Sequence, residues 1–271
     1  YRNNKNNFYY FISYRLGGDF MKDNIITLQE VTKVYDLNGP KPFMAIDHLN
    51  LRIDAGDFIC IMGPSGSGKS TLINLISTID YPTSGEVIIN GKRSTDLDEV
   101  ALSHFRQTEM GYIFQEHQLI DSITLFENII IKHPISQKKK LMEQIHHLAK
   151  ILDIDQVLYH YPRECSSGQN QRASILRALL DQPKIVVADE PTGNLDSINT
   201  RQLLDQFTLI NQQGTTILMV THDPLCASYA NKVYYLVDGR FQHIYNKDEL
   251  TNDEFYKLLF NAIVPDMEAL L

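Results

Sequence analysis

The sequence predicts an α/β fold with a mainly parallel central sheet, an antiparallel β-subdomain and an inserted helical subdomain. Three short apolar runs, each bounded by polar or turn residues, have the length and composition of buried parallel strands: 58–62, 185–188 and 216–220. Between the first two lies a long stretch with helical periodicity, and residues 138–152 place four apolar side chains on one face. Strands that alternate with helices in this way are typical of a parallel sheet covered by helices.

The remaining elements follow from local patterns. Residues 25–31 and 45–53 alternate like strands and are joined by a turn-rich segment, which predicts the antiparallel layer. Residues 71–79 carry apolar side chains at helical intervals, so a helix is expected directly after a glycine-rich loop. Residues 233–237 and 240–245 flank an Asp-Gly pair, which is the signal of a β-hairpin.

Residues 1–20 differ in composition from the rest of the chain. Seven of the twenty are aromatic, they follow neither a helical nor an alternating pattern, and the first methionine is Met21. They lack the apolar core and small-residue cleavage site of a signal peptide. We expect a non-native or disordered extension here, and the alternative is a natural arm that adheres to a membrane. The main domain is then expected over 21–250, with the helical insertion at about 116–180, and a helical C-terminal tail over 251–271.

The overall composition is that of a globular protein. Apolar residues account for 43% and charged residues for 21%, which excludes disordered, collagen-like and small disulfide-linked chains. The formal net charge of −8 is a poor match to nucleic acid, so no nucleic-acid partner is expected. Apolar runs reach about five residues, whereas a membrane-spanning helix needs roughly 20. Cys60, Cys165 and Cys226 are far apart, which favours a reduced, cytosolic compartment.

The glycine-rich segment between the strand at 58–62 and the following helix matches the phosphate-binding pattern GxxxxGK[ST]. Glycines let successive backbone N–H groups point at phosphate oxygens, and the helix adds its positive N-terminal end. We expect Lys69 to contact the β- and γ-phosphates and the Ser70 hydroxyl to coordinate Mg²⁺. The candidate nucleotide ligands are Gly63, Pro64, Ser65, Gly66, Ser67, Gly68, Lys69, Ser70 and Thr71.

Two carboxylates, Asp189 and Glu190, directly follow the apolar run at 185–188. A nucleotide-bound metal needs a carboxylate at the end of a neighbouring strand, so Asp189 is expected to hold Mg²⁺, through water. Glu190 is placed to polarise the attacking water and is the expected general base.

The segment Cys-Ser-Ser-Gly-Gln at 165–169, followed by Asn-Gln-Arg, makes the chain resemble the ATP-binding subunits of ABC transporters. The signature of that family is usually Leu-Ser-Gly-Gly-Gln, some twenty residues before the position of Asp189. The resemblance covers about residues 26–245 and implies the P-loop NTPase fold of an ABC ATPase.

The resemblance also implies roles for single residues. Tyr35 matches the aromatic residue that stacks on adenine, and Gln115 matches the Q-loop glutamine that contacts Mg²⁺ or the attacking water. Asp196 lies in the D-loop at 193–196, and His222 matches the switch histidine, which donates to the γ-phosphate. The signature residues implied to face the ATP held by a second subunit are Ser166, Ser167, Gly168 and Gln169.

Three stretches, at 77–80, 82–87 and 221–229, resemble the exporter branch of the family, which includes lipoprotein-release and macrolide-export ATPases. They are most similar to the bacitracin-type peptide-resistance group. This resemblance implies ATP and Mg²⁺ as ligands, a homodimer, and an integral-membrane permease with a large extracellular domain. It further implies a sensor kinase allied through the permease, and a location at the cytoplasmic face of the plasma membrane.

The signature departs from the family pattern at two positions. Cys165 replaces the usual aliphatic residue, and Ser167 replaces the first glycine. If position 167 requires a positive φ, the serine costs about 1 kcal/mol and slows closure of the dimer without abolishing it. Restoring glycine is then expected to raise ATP hydrolysis and dimerisation together.

Other functions share this nucleotide chemistry. A DNA-maintenance ATPase would need a long coiled-coil or zinc insertion, but about a hundred residues without heptads separate Lys69 from Ser166. A translation factor would need two such domains in one chain. A module that signals through a permease-like partner without moving a substrate remains open, since its nucleotide site would be identical.

Overall fold

A computed structural model of the chain describes residues 24–268, so the extension expected at 1–20 lies outside the described residues. The strands are β1 (Asn24–Tyr35), β2 (Phe43–Asp54), β3 (Phe58–Met62), β4 (Ser84–Ile89), β5 (Lys92–Arg93), β6 (Met110–Ile113), β7 (Ile185–Asp189), β8 (Thr216–Val220), β9 (Lys232–Val237) and β10 (Arg240–Asn246). The α-helices are α1 (Lys69–Ile76), α2 (Glu99–Thr108), α3 (Leu125–Ile130), α4 (Lys138–Ile151), α5 (Ser167–Leu179), α6 (Ser197–Gln212), α7 (Pro224–Ala227) and α8 (Asn252–Glu268).

The central sheet has the strand order β10-β9-β3-β8-β7-β6. All neighbouring pairs are parallel except β9 with β10, which form the predicted hairpin. Side chains of β3 alternate between the two faces: Phe58 and Cys60 enter one core, and Ile59 and Ile61 enter the other. Because the parallel strands share a carboxyl edge, the loops after β3, β7 and β8 meet there. The predicted mainly parallel sheet is confirmed.

The second sheet is antiparallel, with the order β2-β1-β4-β5. Residues of β1 and β2 pair from Asn24 with Asp54 to Tyr35 with Phe43, so the strands extend past the apolar alternation that predicted them. Their buried side chains share a core with one face of α1 and one face of the central sheet. The predicted antiparallel subdomain is therefore confirmed, and it places the Tyr35 end of β1 near the start of α1.

The helices α3, α4 and α5 lie between β6 and β7, where the helical insertion was expected. Thr124 is the N-cap of α3 and forms a reciprocal pair of hydrogen bonds with Glu127. This pair fixes the point at which the helix begins after the segment that follows Gln115. Ile145 and Ala149 of α4 are buried against the core that α5 also enters. Among residues 24–268, no helix combines the length and hydropathy needed to cross a bilayer.

The helix predicted at 71–79 is shorter and starts earlier than expected. It covers Lys69–Ile76, and Thr78 adopts a left-handed conformation with φ +55° that ends it. Ile79, which the periodicity placed on the buried face, is instead exposed. The sequence pattern cannot show whether Ile79 lies inside the helix or just beyond it, because an apolar residue one turn past the helix end keeps the same spacing.

Candidate functional site

The phosphate loop, residues 63–68, connects the fully buried strand β3 to α1. Gly66 and Gly68 have φ of +80° and +105°, which turn the chain sharply into the helix. A Cβ on Gly63 would lie 2.1 Å from the Leu236 carbonyl oxygen, so the loop packs tightly on β9. Ser67 is 3% exposed, and its Oγ has no hydrogen-bond partner within the described chain. An unpaired buried hydroxyl beside a loop of backbone N–H groups suits a phosphate oxygen.

Lys69 is the first residue of α1, and its side chain folds back over the loop. Its Nζ donates to the carbonyl oxygens of Gly63 and Pro64, both at 2.8 Å. Burial lowers the pKa of Lys69, and the negative charges of Glu190 and Asp189 oppose this shift. The ammonium group is therefore bound to the loop, within electrostatic reach of the two acids. Ser70 and Ser65 are exposed at this end of the helix.

Asp189 is the last residue of β7 and pairs with Val220 at the end of β8. Burial raises the pKa of its carboxyl, the nearby charge of Glu190 raises it further, and Lys69 lowers it. Ile61 of β3 and Asp189 of β7 both pair with Val220 of β8, so the carboxyl ends of these strands bring Lys69 and the two acids to one edge of the sheet.

Glu190 follows with φ +46°, an uncommon conformation for a side chain other than glycine. Its backbone N–H donates to the Val220 carbonyl at 2.9 Å, which ties it to the end of β8. His222 Nδ1 donates to Glu190 Oε1 at 2.9 Å, and Thr221 Oγ1 donates to Oε2 at 3.3 Å. Both carboxylate oxygens are thus held from the loop after β8. The sequence indicated Glu190 and His222 separately, but it did not show that they contact each other.

The Q-loop, residues 114–118, is held by its backbone carbonyls. Those of Phe114, His117 and Gln118 accept hydrogen bonds from α5 side chains, and that of Gln115 accepts one from the D-loop. The bonds are Gln171 Nε2 to Phe114 at 3.3 Å, Arg177 Nη2 to His117 at 3.1 Å, Arg177 Nη1 to Gln118 at 2.8 Å and Asn194 Nδ2 to Gln115 at 3.2 Å. The Gln115 side chain lies near Gly193, so the Q-loop and the D-loop are in contact.

The signature begins α5. Ser166 is its N-cap: Ser166 Oγ accepts from the Gln169 N–H at 3.2 Å, and Gln169 Oε1 accepts from the Ser166 N–H at 2.9 Å. Gly168 is buried against Asn199 of α6. Ser167 is the first helical residue and does not have a positive φ, so the condition on which the expected strain depends is not met. Its exposed Oγ donates to the Asn194 carbonyl at 3.2 Å.

Two further candidates lie at the edges of this arrangement. The Tyr35 ring is 39% exposed at the end of β1, and its hydroxyl donates to Asp80 Oδ2 at 3.1 Å and lies 3.5 Å from Thr71 Oγ1. The aromatic face is thereby fixed beside the start of α1. Asp196 is the N-cap of α6 and accepts from the N–H groups of Ile198 and Asn199, which lower the pKa of its carboxyl. Its carboxylate supports the D-loop, and direct contact with a nucleotide stays a prediction.

Comparison with known proteins shows which class of protein this fold and site define. The family model described as ABC transporter matches residues 46–193. The chain is 38% identical over 246 residues to the ABC transporter ATP-binding protein YxdL of Bacillus subtilis, covering 89% of this chain and 93% of the relative. It is 38% identical over 237 residues to the bacitracin export ATP-binding protein BceA of Halalkalibacterium halodurans, covering 86% and 94%.

Solved structures agree with the sequence relatives. A dimeric, post-hydrolysis structure of the ATP-binding cassette MJ0796 with ADP and Pi is 35% identical, with a TM-score of 0.72, over 82% of this chain and 98% of that chain. The chain therefore belongs to the ABC transporter family. It has the α/β P-loop fold of an ABC ATPase and is an ATP-binding, ATP-hydrolysing subunit of this class, as the motifs predicted.

Proposed function

We propose that two copies of this chain close around two ATP molecules and use their hydrolysis to drive a separate membrane permease. The observation that carries the proposal is the cluster at one sheet edge: the phosphate loop and Lys69 beside Asp189, and Glu190 held by His222. In the family arrangement the signature of one subunit faces the ATP held by the phosphate loop of the other, so a second copy would complete each site. The dimeric state of the MJ0796 cassette supports this arrangement.

The proposed roles follow the geometry. The phosphate loop and Lys69 bind the triphosphate, and Tyr35 provides a flat face for adenine. Glu190 takes a proton from the attacking water, and His222 orients Glu190 and reaches the γ-phosphate. Gln115 contacts the water or the metal. Ser166, Ser167, Gly168 and Gln169 complete the site on the second copy.

Mg²⁺ fits the donor set. Mg²⁺ is usually bound by one or two carboxylates and a hydroxyl together with substrate phosphates, and Asp189 and the exposed Ser70 lie at the same end of the sheet. When bound, the ion neutralises charge that develops on the phosphates. The raised pKa of Asp189 reflects a half-buried carboxylate near another acid, a position at which a cation would stabilise the charged form.

The permease partner is proposed from the relatives. The name of BceA describes bacitracin export, and this chain resembles it over most of its length. We propose an exporter-branch permease that handles an antimicrobial peptide or a lipid-linked compound, with this subunit on the cytoplasmic face of the plasma membrane. A sensor kinase is not named among these relatives, so that partner stays a prediction.

The substitution Glu190→Gln tests the catalytic part of this proposal. It keeps the size and hydrogen-bonding capacity of the side chain but removes the base, so turnover should fall by roughly 10² or more. ATP should still bind, and an ATP-bound dimer should accumulate on a sizing column with Mg²⁺. Glu249→Gln, on an exposed loop residue, is the matched control and should behave as wild type. Wild-type turnover in Glu190→Gln would remove Glu190 from this role.

A further inference from the structure

Ser167 stands where the family has glycine, and its side chain makes a contact that glycine cannot make. Its Oγ donates to the Asn194 carbonyl in the D-loop at 3.2 Å. We propose that Ser167 is a positioning residue: this hydrogen bond fixes the signature to the D-loop of the same subunit and orients it for the ATP held by a second copy. The inference rests on the proposed ATP-bound dimer.

The D-loop residue that accepts this bond also contacts the Q-loop. Asn194 also donates through Nδ2 to the Gln115 carbonyl at 3.2 Å. Asn194 therefore joins two segments: its backbone oxygen accepts from the signature, and its side chain reaches the Q-loop. A change at either contact would be felt by both segments, because the same short loop carries both bonds.

The rest of α5 is already attached firmly. Gln171 and Arg177 bind the Q-loop carbonyls, and the buried Arg172 donates to Asn199 of α6 at 2.7 Å. These contacts fix the body of the helix. Within the part of the chain that the structure describes, the exposed side chain of Ser167, the first helical residue, makes one hydrogen bond, to the D-loop. The hydroxyl therefore adds a contact to the D-loop at the helix tip, where Gly168 already packs against Asn199 and where Ser166 and Gly168 would meet a phosphate.

The backbone allows this substitution without strain. Ser167 begins α5 outside the positive-φ region, and the preceding Ser166 has φ −69° and ψ 159°, an ordinary N-cap geometry. Glycine at this position would remove the bond and would leave the first helical residue more flexible. We therefore expect glycine to weaken function in this chain, the opposite of the result that the strain argument predicts.

The test compares Ser167→Ala and Ser167→Gly in the Glu190→Gln background. Both remove the hydroxyl, and a net hydrogen bond of about 0.5–1.5 kcal/mol corresponds to a change of roughly 2- to 10-fold. The dissociation constant of the dimer with Mg-ATP, measured by analytical ultracentrifugation, should rise in both variants by that factor for each of the two subunits, or roughly 4- to 100-fold in all. The affinity of the monomer for a fluorescent ATP analogue should not change, and the melting temperature should fall by no more than about 2–6 °C, since one intrachain hydrogen bond is lost. Ser103→Ala, an exposed serine on α2, is the control.

A second measurement uses the otherwise wild-type enzyme. Ser167→Ala and Ser167→Gly should lower kcat by about the same 2- to 10-fold and leave the KM for ATP unchanged. Asn194→Ala releases the D-loop from Gln115. In that background, Ser167→Ala should lower kcat by a smaller factor than it does in the wild-type protein.

Two outcomes would overturn the inference. Dimerisation and kcat equal to wild type in both variants would show that the hydroxyl positions nothing, and stronger dimerisation in Ser167→Gly would show that the side chain obstructs closure. A parent Glu190→Gln protein that neither dimerises nor loses turnover would instead contradict the proposed function, and kcat in the wild-type background would still decide the role of Ser167.

Discussion

At the scale of single residues, the defining feature is a base held from two sides. Glu190 sits in a left-handed conformation after β7, and His222 and Thr221 after β8 donate to its two oxygens. Because β7 and β8 are neighbours and parallel, the residues that follow them necessarily lie close together. The sheet topology therefore creates the Glu190–His222 pair.

The substitution His222→Ala should leave Glu190 in place as the base but remove the hydrogen bond that orients its carboxylate. We expect His222→Ala to lower ATP turnover by at least about 10-fold, since misplacement of a catalytic group by an ångström can cost as much as 10². ATP binding to the phosphate loop should remain. The check is steady-state hydrolysis beside equilibrium binding of a fluorescent ATP analogue, and a turnover equal to wild type would show that Glu190 needs no support from His222.

Two of the three glycines of the phosphate loop, Gly63 and Gly66, make a matched pair. A Cβ on Gly63 would meet the backbone oxygen of Leu236, whereas a Cβ on Gly66 meets nothing within 4 Å and is opposed only by its φ of +80°. We expect Gly63→Ala to lower the free energy of unfolding by about 1–3 kcal/mol because of overpacking, and Gly66→Ala by about 1 kcal/mol because of backbone strain. Urea unfolding measures both. A Gly63→Ala variant as stable as wild type would contradict the tight packing at Gly63.

The sequence indicated which residues belong to the nucleotide site, but it did not indicate most of the hydrogen bonds that connect them. Lys69, Asp189 and Glu190 follow from short motifs, because their chemistry depends on neighbours along the chain. Thr221 and Asn194 were not singled out, since their contacts join segments about 30 to 80 residues apart. The strain expected at Ser167 depended on a positive φ that the residue does not have, and a glycine in a family pattern does not reveal whether the position needs one.

At the scale of elements, the family resemblance implies that a permease helix docks beside the Q-loop, and we propose residues 116–125 as this contact. Its apolar residues divide into two groups: Leu125 is fully buried and Leu119 packs against the core, while Ile120 is 46% exposed. Asn128 of α3 fixes the main chain of Ile120 by accepting from its N–H and donating to its carbonyl. An exposed apolar side chain on a rigid backbone is suited to a docking contact.

We expect Ile120→Glu to leave basal ATPase activity and the melting temperature unchanged while it weakens co-purification with the co-expressed permease. Leu119→Glu should instead destabilise the fold, since it places a charge against apolar side chains. Leu209→Glu, an exposed position near the far end of α6, is the matched control. Permease binding that survives Ile120→Glu would place the docking contact elsewhere.

The sequence predicts the boundaries of an element correctly where burial of one face of that element produces the apolar pattern. Residues 138–152 match α4, because the buried stripe of a helix produces its periodicity directly. β1 and β2 extend beyond their predicted limits because backbone pairing continues through polar residues that no alternation indicates.

At the scale of the whole molecule, the chain carries two halves of a site that do not face the same ATP in the proposed dimer. The phosphate loop and Glu190 lie at the edge of the central sheet, and the signature lies at the start of α5 in the helical insertion. Hydrolysis would then require a second copy, which is a property that no single residue determines.

The most direct test of this account is the ATPase activity of the wild-type protein, per mole of protein, as a function of its concentration at saturating Mg-ATP. If each site needs the signature of a second copy, the specific activity should be low in dilute solution, rise with concentration and reach a plateau as the dimer saturates. Lys69→Ala should show no activity at any concentration. A specific activity that stays constant over a hundredfold dilution, with the protein monomeric throughout, would contradict the account.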